Sequence, residues 1–276
     1  MGGRAGTNYF KRVICLGLAG LSYLLSFGGR LGRGGAVVLC YPGVSEEQGR
    51  AFARQMSGIA PRAVPLARLP ETGSYRLGTP PRVCVTFDDG FENLLANAVP
   101  VLEQLGVPAT LFVVPENLGR PPHWTMRPGH PDARERLMDA LQVRKLVHDH
   151  GWRVESHTLT HAHLPSLPAA EVRRELSESK AALESALGVP ITAVAFPHGA
   201  YNQTVLEEAR RTGYVSACTL EPRLYRGGQE HRIGRFLMSP DAWSLEFYLT
   251  CAGAYVWVNT CRRLLTAGWR WLARRK

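Results

Sequence analysis

Short apolar runs alternate with longer amphipathic segments along most of this chain. The apolar runs have the length and residue types of buried strands, and they lie at residues 36–41, 82–87, 109–114, 152–156, 191–196 and 214–219. The segments between them repeat apolar residues with a helical period, and they lie at residues 46–60, 91–105, 134–150, 169–187 and 204–212. Because strands that alternate with helices build parallel sheets, this pattern predicts an α/β fold. In such folds the functional loops follow the carboxyl ends of the strands.

The first predicted strand is preceded by a charge-free apolar stretch at residues 13–29, which follows Lys11 and Arg12. This stretch is short for a membrane-spanning helix, which needs about 20 apolar residues. Basic residues in front of an apolar core are also typical of a signal peptide, although no clear cleavage site follows. A helix that lies on a membrane or packs against the domain is the third interpretation. All three stay open, and we favour a retained, membrane-associated helix.

The other end of the chain has the pattern of a basic amphipathic helix. One arc of the helical wheel collects apolar side chains, namely Trp257, Cys261, Leu264, Leu265, Trp271 and Leu272. The opposite arc collects arginines, namely Arg262, Arg263, Arg270 and Arg274. Such a helix is typical of a membrane interface, and a terminal helix that packs on the core fits the pattern nearly as well. We expect an N-terminal segment at 1–34, a main domain at 35–242 and a C-terminal helical segment at 243–276.

Composition and charge narrow the class of protein. The 276 residues are 45% hydrophobic and 20% charged, so the chain can bury a globular core. The net charge of +10 is concentrated at the two ends, which suits an anionic membrane surface and argues against a nucleic-acid groove across the fold. We therefore expect no nucleic-acid partner, and a protein that is membrane-associated or exported to the cell envelope. The six cysteines include no CxxC pair, which argues against a zinc ribbon or a disulfide framework, and Cys40 and Cys84 are expected to act as small hydrophobic residues.

Polar residues follow three of the predicted strands. His157 and His161 are four residues apart, so on one helical turn both rings would point the same way. Two such rings and a carboxylate from elsewhere make a three-ligand metal site that leaves a position for water. Asp88 and Asp89 end another strand, where two adjacent acids repel each other. A helix N-cap would explain one of them, and a metal ligand beside a proton acceptor would explain both.

These groups together favour metal-dependent hydrolysis. A cation lowers the pKa of water toward neutrality, and a neighbouring carboxylate removes the proton as the water attacks a carbonyl. A backbone N–H of the turn at 196–199 could stabilise the oxyanion, although Pro and Gly are also ordinary turn residues.

Three segments resemble, in order and in spacing, the signature motifs of the polysaccharide deacetylase family, carbohydrate esterase family 4. They are TFDDG at 86–90, HTLTH at 157–161 and FPHGAYN at 196–202, and the similarity covers roughly residues 36–236. The resemblance implies a distorted (β/α) barrel, usually of seven strands, here with terminal helices. It implies Asp88 as general base and Asp89, His157 and His161 as ligands of a divalent ion. Zinc is the first choice, and cobalt, nickel or iron suit the same ligands.

The sequence also departs from the family pattern. Ala195 stands where the family often has an arginine that orients the catalytic aspartate, and we hypothesise that Arg232 or Arg235 replaces it. The family's late Leu-x-His motif is not recognisable, so the general acid is left open between His198, His231 and a water. The backbone N–H of His198 would take the oxyanion position.

The resemblance implies an enzyme that removes N-acetyl groups from a glycan. The departures resemble the branch that acts on bacterial exopolysaccharides, so we expect an N-acetylhexosamine-containing exopolysaccharide or cell-wall polymer as partner. We assign Asp88 and His198 as catalytic residues and Tyr201, Arg232 and Arg235 as substrate-binding residues. The alternatives are a glycan-binding pseudoenzyme and an esterase that removes O-acetyl groups with the same machinery.

Overall fold

Eight parallel strands form the centre of the molecule. The computed structural model of the protein describes residues 3–25, 34–69, 78–124, 126 and 135–256, with side chains from residue 12 onward. The strands of the described part are β1 (Ala36–Tyr41), β2 (Arg82–Phe87), β3 (Ala109–Val113), β4 (Arg153–Ser156), β5 (Ala193–Ala195), β6 (Ser216–Thr219), β7 (Ile233–Gly234) and β8 (Phe236–Leu237). They follow one another around the sheet in the order β7-β6-β5-β4-β3-β2-β1-β8, and every neighbouring pair is parallel.

The sheet closes into a barrel through the segment that contains β7 and β8. β7 pairs with β6, and β8 pairs with β1 at the opposite edge of the sheet. A single residue, Arg235, separates these two short strands, so they occupy one position around the barrel. The expected seventh strand is therefore present but is divided in two.

The helices cover the outside of the barrel. They are α1 (Gly3–Leu25), α2 (Gly49–Ile59), α3 (Asn93–Asn97), α4 (Val99–Leu105), α5 (Ala140–His148), α6 (Ala169–Leu187), α7 (Gln203–Arg211) and α8 (Ser244–Cys251). The predicted helix at 91–105 is interrupted at Ala98, immediately before the helix that has a proline in its first turn. The helix predicted from residue 134 begins only at Ala140, because Asp139 caps it in a capping box with Gln142.

Alternate residues of each strand face two different apolar layers. In β1, Val37, Leu39 and Tyr41 belong to the large core between the barrel and its helices, where the ring of Tyr41 lies edge-on to Phe52 at 5.5 Å. The intervening residues belong to a second, smaller cluster that consists mainly of small side chains: Ala36, Val38, Cys84, Ala193, Ala195 and Cys218, with Phe112. These side chains fill a narrow barrel interior. Cys84 is thus the small buried hydrophobic residue that the sequence predicts.

The two ends of the described chain pack against each other. Helix α1 contacts α8, and Ala19, Leu249 and Ala254 form a small apolar cluster between them. Among the described residues, no helix has both the length and the apolar character needed to cross a membrane. The amphipathic helix predicted near the C-terminus falls at residues 257–276 and lies outside the described part of the chain, and the division into three segments stays a prediction.

Candidate active site

Asp89, His157 and His161 are brought together at the carboxyl ends of β2 and β4. One ligand atom from each of them lies within 4.8 Å of the other two, and all three residues are buried. Oδ1 of Asp89 is 3.6 Å from Nε2 of His157 and 3.5 Å from Nε2 of His161. The three predicted metal ligands therefore form one cluster. Neither aspartate caps a helix, because α3 begins at Asn93 with Glu92 as its N-cap.

The histidine segment is a loop, and the prediction of a helical turn is wrong. Residues 157–161 follow β4 without helical structure, and both Thr158 and His161 have left-handed backbone angles, with φ of 69° and 64°. The rings still meet, with centroids 5.0 Å apart, because the chain folds back on itself between them. Non-glycine residues adopt this region rarely, and such residues concentrate at functional sites.

A buried carboxylate from helix α6 holds this loop. Oε2 of Glu175 accepts hydrogen bonds from the backbone N–H groups of Leu159 and Thr160, both at 3.0 Å, and Oε1 accepts one from the Thr160 hydroxyl at 2.7 Å. The hydroxyl of Ser156 accepts a further bond from the N–H of Thr158. These bonds take the place of helical hydrogen bonds and fix the strained backbone between the two histidines.

The cluster fits a divalent cation in both chemistry and spacing. Nδ1 of His157 lies 2.8 Å from the Ala195 carbonyl, so Nδ1 carries the proton and Nε2 presents its lone pair toward Asp89. Ligand bonds of about 2.0–2.2 Å in a tetrahedral site place neighbouring ligand atoms about 3.4 Å apart, which is close to the two observed distances. Burial lowers the pKa of His161 to about 2. Burial also lowers the pKa of His157, despite the opposing charge of Asp88, so both rings are in the neutral form that metals bind.

Asp88 is fixed next to this cluster by an arginine. Arg235 donates from its two terminal nitrogens to the two carboxylate oxygens of Asp88, at 2.6 and 2.8 Å. Burial alone would raise the pKa of Asp88, but the charge and hydrogen bonds of Arg235 outweigh it and lower the pKa to about 2. Oδ2 of Asp88 lies 3.9 Å from Nε2 of His157. An ionised carboxylate therefore lies beside the candidate cation site without belonging to it.

Arg235 contacts Asp88 as one of the two arginines predicted to do so, but it is not placed to bind a substrate. The residue stands between β7 and β8, and its side chain is fully buried in the barrel, with the guanidinium 5.3 Å from the centre of the Phe112 ring. It thus supplies from the last strand the contact that Ala195 cannot make. The assignment of Arg235 as a substrate-binding residue is wrong, because a fully buried guanidinium cannot reach a substrate.

Cys40 is a second partner of Asp88 that the sequence did not reveal. Its Sγ lies 3.2 Å from Oδ2 of Asp88. Burial raises the pKa of the Cys40 thiol well above its ordinary value, so the thiol is protonated and donates. The sequence placed Cys40 in a strand as a small hydrophobe, and only the registry of β1 against β2 puts it beside the aspartate.

A cleft of about 330 Å³ opens over the cluster. It is lined by Asp88 and the three clustered residues and by side chains from several loops, including Cys40, Pro42, Trp124, Met126, His198, Leu220 and Leu237. Trp124 stacks on the His161 ring, with centroids 4.1 Å apart and ring planes 19° apart. Trp124 therefore forms a wall directly beside a predicted metal ligand. No sequence pattern indicates a role for this tryptophan, which lies in a segment without helical or strand periodicity.

His198 and His231, the two histidines considered as general acid, lie in different places. His198 is exposed and lines the cleft, with its ring 4.9 Å from that of His161. Its close approach depends on the turn that contains it: His198 has a φ of 57°, and a Cβ on the next residue, Gly199, would lie 2.4 Å from the Leu220 nitrogen. Nε2 of His231, by contrast, bonds the Tyr214 carbonyl at 2.9 Å, and His231 does not line the cleft.

Tyr201 and Arg232 form a pair of their own. Nε of Arg232 donates to the Tyr201 hydroxyl at 3.1 Å, and Arg232 also lies 3.6 Å from Glu221. Neither side chain is among the described residues that line the cleft. Their role in substrate binding stays a prediction.

A larger cavity adjoins the cleft. It has a volume of about 700 Å³ and shares Pro42, Leu220 and Leu237 with the cleft. Its far side is formed by residues of the terminal helices, including Arg12 and Glu246. The two spaces together are large enough for more than a single acetylated group.

Comparison with known proteins gives one family. Residues 77–217 match the family model described as polysaccharide deacetylase. YxkH of Bacillus subtilis (strain 168), whose name assigns it provisionally to the polysaccharide deacetylases, is 31% identical over 175 residues, which cover 63% of this chain and 56% of YxkH. A poly-β-1,6-N-acetyl-D-glucosamine N-deacetylase of Staphylococcus aureus is 22% identical over 170 residues, which cover 58% of this chain and 56% of that protein. The chain thus spans about half the length of these curated relatives.

A solved structure extends the likeness to most of the chain. IcaB from Ammonifex degensii superposes with a TM-score of 0.66 at 25% identity, and the superposition covers 80% of this chain and 99% of that one. The predicted distorted (β/α) barrel with terminal helices is confirmed.

Proposed function

Since this chain belongs to the polysaccharide deacetylase family, we propose that it is a divalent-metal-dependent hydrolase that removes N-acetyl groups from an N-acetylhexosamine-containing glycan. The observation that carries the proposal is the juxtaposition in one cleft of an ionised, arginine-bound Asp88 and a separate cluster of Asp89, His157 and His161. A structural ion pair would need neither the second aspartate nor two neutral histidines facing it.

Asp89, His157 and His161 would hold the cation, with zinc as first choice and cobalt, nickel or iron as alternatives. When bound, a divalent cation polarises an acyl carbonyl and makes water acidic near neutral pH. The neutral Nε2 of each histidine is available for this role because Nδ1 of His157 is engaged by the Ala195 carbonyl and burial keeps both rings unprotonated.

Asp88 is the general base in this proposal. It would take the proton of the attacking water as the water oxygen bonds to the acetamide carbonyl carbon, which becomes tetrahedral before its bond to nitrogen breaks. Arg235 and Cys40 together restrict the rotation of the carboxylate, which lines the cleft. The side chain of Asp88 is 12% exposed, which leaves it accessible to a water in the cleft.

His198 is the proposed general acid. It stands at the cleft and is exposed, so it can exchange protons with solvent and with a leaving amine. Partial burial, with a smaller contribution from His163, lowers the pKa of His198. A protonated imidazole with a lowered pKa is a stronger acid, which suits proton delivery to the leaving nitrogen.

The substrate we propose is a polymer of N-acetylglucosamine from a bacterial exopolysaccharide or cell wall. The Staphylococcus aureus relative is named for poly-β-1,6-N-acetyl-D-glucosamine, which makes that polymer the first substrate to test. The cavity that adjoins the cleft supports a polymeric substrate, because sugars next to the reacting one can extend into it.

The direct test of the base is acetate release from β-1,6- and β-1,4-linked N-acetylglucosamine oligomers by zinc-loaded protein. We expect Asp88→Asn to lower kcat by about a hundredfold or more, because the amide cannot accept the water proton. Asp149→Asn, which changes an exposed acid at the end of α5, is the matched control and should leave acetate release unchanged.

Two results would contradict this proposal. Full activity of Asp88→Asn would remove Asp88 as base. Binding of the oligomers without turnover at any metal loading would favour the glycan-binding pseudoenzyme, and faster release from O-acetylated sugars than from N-acetylated ones would favour the esterase.

A further inference from the structure

Helix α1 is docked on the barrel by one of its faces. Nε of Arg12 donates to Glu246 of α8 at 2.8 Å, and the same guanidinium lies 4.4 Å from the centre of the Trp243 ring. Two helical turns after Arg12, Ala19 is completely buried. One turn further, the hydroxyl of Tyr23 lies 2.6 Å from that of Tyr248. These contacts recur at a helical spacing, so this face of α1 belongs to the folded unit.

The opposite face of α1 is apolar and exposed. It carries a row of side chains spaced four, three and four residues apart, namely Ile14, Leu18, Leu21 and Leu25, with Val13 and Leu24 beside them. Leu21 is 51% exposed and Leu25 is 70% exposed. We call Val13, Ile14, Leu18, Leu21, Leu24 and Leu25 the α1 apolar face. A continuous exposed row of this size marks an interaction site.

The charges that flank α1 in the sequence distinguish between two partners that could cover this face, a second copy of the helix and an anionic lipid surface. Arg4, Lys11, Arg30 and Arg33 flank the apolar stretch, and the first acidic residue of the chain is Glu46. A second copy of this helix, whether parallel or antiparallel, would bring basic ends against basic ends. Anionic lipid headgroups would instead attract the basic residues that flank the apolar stretch in the sequence.

We propose that the α1 apolar face binds the surface of an anionic bilayer, with α1 lying in the plane of the interface. The orientation follows from the docking contacts: one side of the helix is occupied by α8, so only the other side can enter the acyl region. Arg12 and Glu246 line the cavity that adjoins the catalytic cleft. The bound orientation therefore places that cavity beside the lipid headgroups.

The test is flotation of the full chain with vesicles of phosphatidylcholine that contain about one third phosphatidylglycerol, compared with vesicles of phosphatidylcholine alone. We expect the protein to float with the anionic vesicles and Leu21→Glu to reduce the bound fraction about tenfold, because a carboxylate would enter the acyl boundary. Leu141→Glu is the matched control, since Leu141 is 62% exposed on α5 and should tolerate the change without loss of binding.

Several outcomes would overturn the proposal. One is that the unmodified chain fails to float with anionic vesicles. Another is that Leu21→Glu floats as well as the unmodified chain, which would move the contact to some other part of the chain such as residues 257–276. A third is a lipid-free dimer in sedimentation velocity that Leu21→Glu dissociates, which would make a second copy the occupant. Acetate release from soluble oligomers by Leu21→Glu should equal that of the unmodified chain, so failure of this proposal and failure of the proposed enzymatic function are separable.

Discussion

At the scale of single residues, the site depends on how one carboxylate is held. Asp88 has three polar hydrogen bonds from buried partners, two from Arg235 and one from the Cys40 thiol. The adjacent Asp89 points to the histidines instead, because its backbone is left-handed, with a φ of 69°. Two neighbouring acids thus separate into a proposed base and a proposed ligand through backbone geometry and through their different partners.

Arg235→Met should shift the acid limb of the pH–rate profile to higher pH. With Arg235 in place the pKa of Asp88 is about 2, below the ordinary value, so the base stays ionised until the pH falls toward that value. Without the guanidinium, burial remains and raises the pKa of Asp88 above its ordinary value, so activity is lost at a higher pH. Breaking a buried pair also lowers the free energy of unfolding by about 3–5 kcal/mol.

The measurement is kcat/KM against pH, with unfolding in urea measured on the same variant. Arg174→Met serves as control, since Arg174 is half exposed and forms only long surface ion pairs on α6. An unchanged acid limb in Arg235→Met would mean that Arg235 does not set the ionisation of the base.

The residue-scale chemistry was predictable only in part. Asp89, His157 and His161 are identified by residue type, spacing and motif, and the structure brings them together. For the arginine that holds Asp88, the sequence left two candidates, Arg232 and Arg235. The choice between them depends on where the last strand meets β1, which the sequence does not show. Cys40 and Trp124 gave no such signal, since a thiol in a strand and a tryptophan in an irregular loop usually have only packing roles.

At the scale of elements, the long regular segments were predicted better than the loops. Helix α6 has the predicted bounds, residues 169–187, because apolar residues repeat along one side and Gly188 follows in a left-handed conformation. The loop at 157–161 was predicted to be helical from the spacing of its histidines alone. Its real conformation depends on hydrogen bonds that the loop donates to Glu175, a residue outside the segment.

Glu175→Ala should weaken metal binding without touching any proposed ligand. Removal of the carboxylate leaves the buried N–H groups of Leu159 and Thr160 without their acceptor, so the loop relaxes and the two histidine rings separate. We expect zinc affinity to fall about 10–100-fold, the range typical when a supporting partner of a metal ligand is lost.

Zinc affinity is measured by competition with a chromophoric chelator. Glu171→Ala is the matched control on the same helix, because Glu171 is exposed and faces solvent. Glu175→Gln should be intermediate, since one amide oxygen can still accept. Equal zinc affinity in all three variants and the unmodified chain would show that the loop does not need Glu175.

At the scale of the whole molecule, the architecture was predictable because apolar runs and helical segments alternate over most of the chain. The split of the last strand was not, because strands of two residues leave no periodic signal. That split has a functional consequence: it closes the barrel and at the same time directs the Arg235 side chain into the interior toward Asp88.

We propose that hydrolysis by the whole molecule depends on a divalent ion held by the cluster of Asp89, His157 and His161. The most direct measurement is acetate release from a β-1,6-linked N-acetylglucosamine oligomer by the full chain after chelation of metals and again after one equivalent of zinc. We predict that release falls by about a hundredfold or more on chelation and returns with zinc, and that Asp89→Asn blocks the return. Full acetate release by the chelated chain would contradict it.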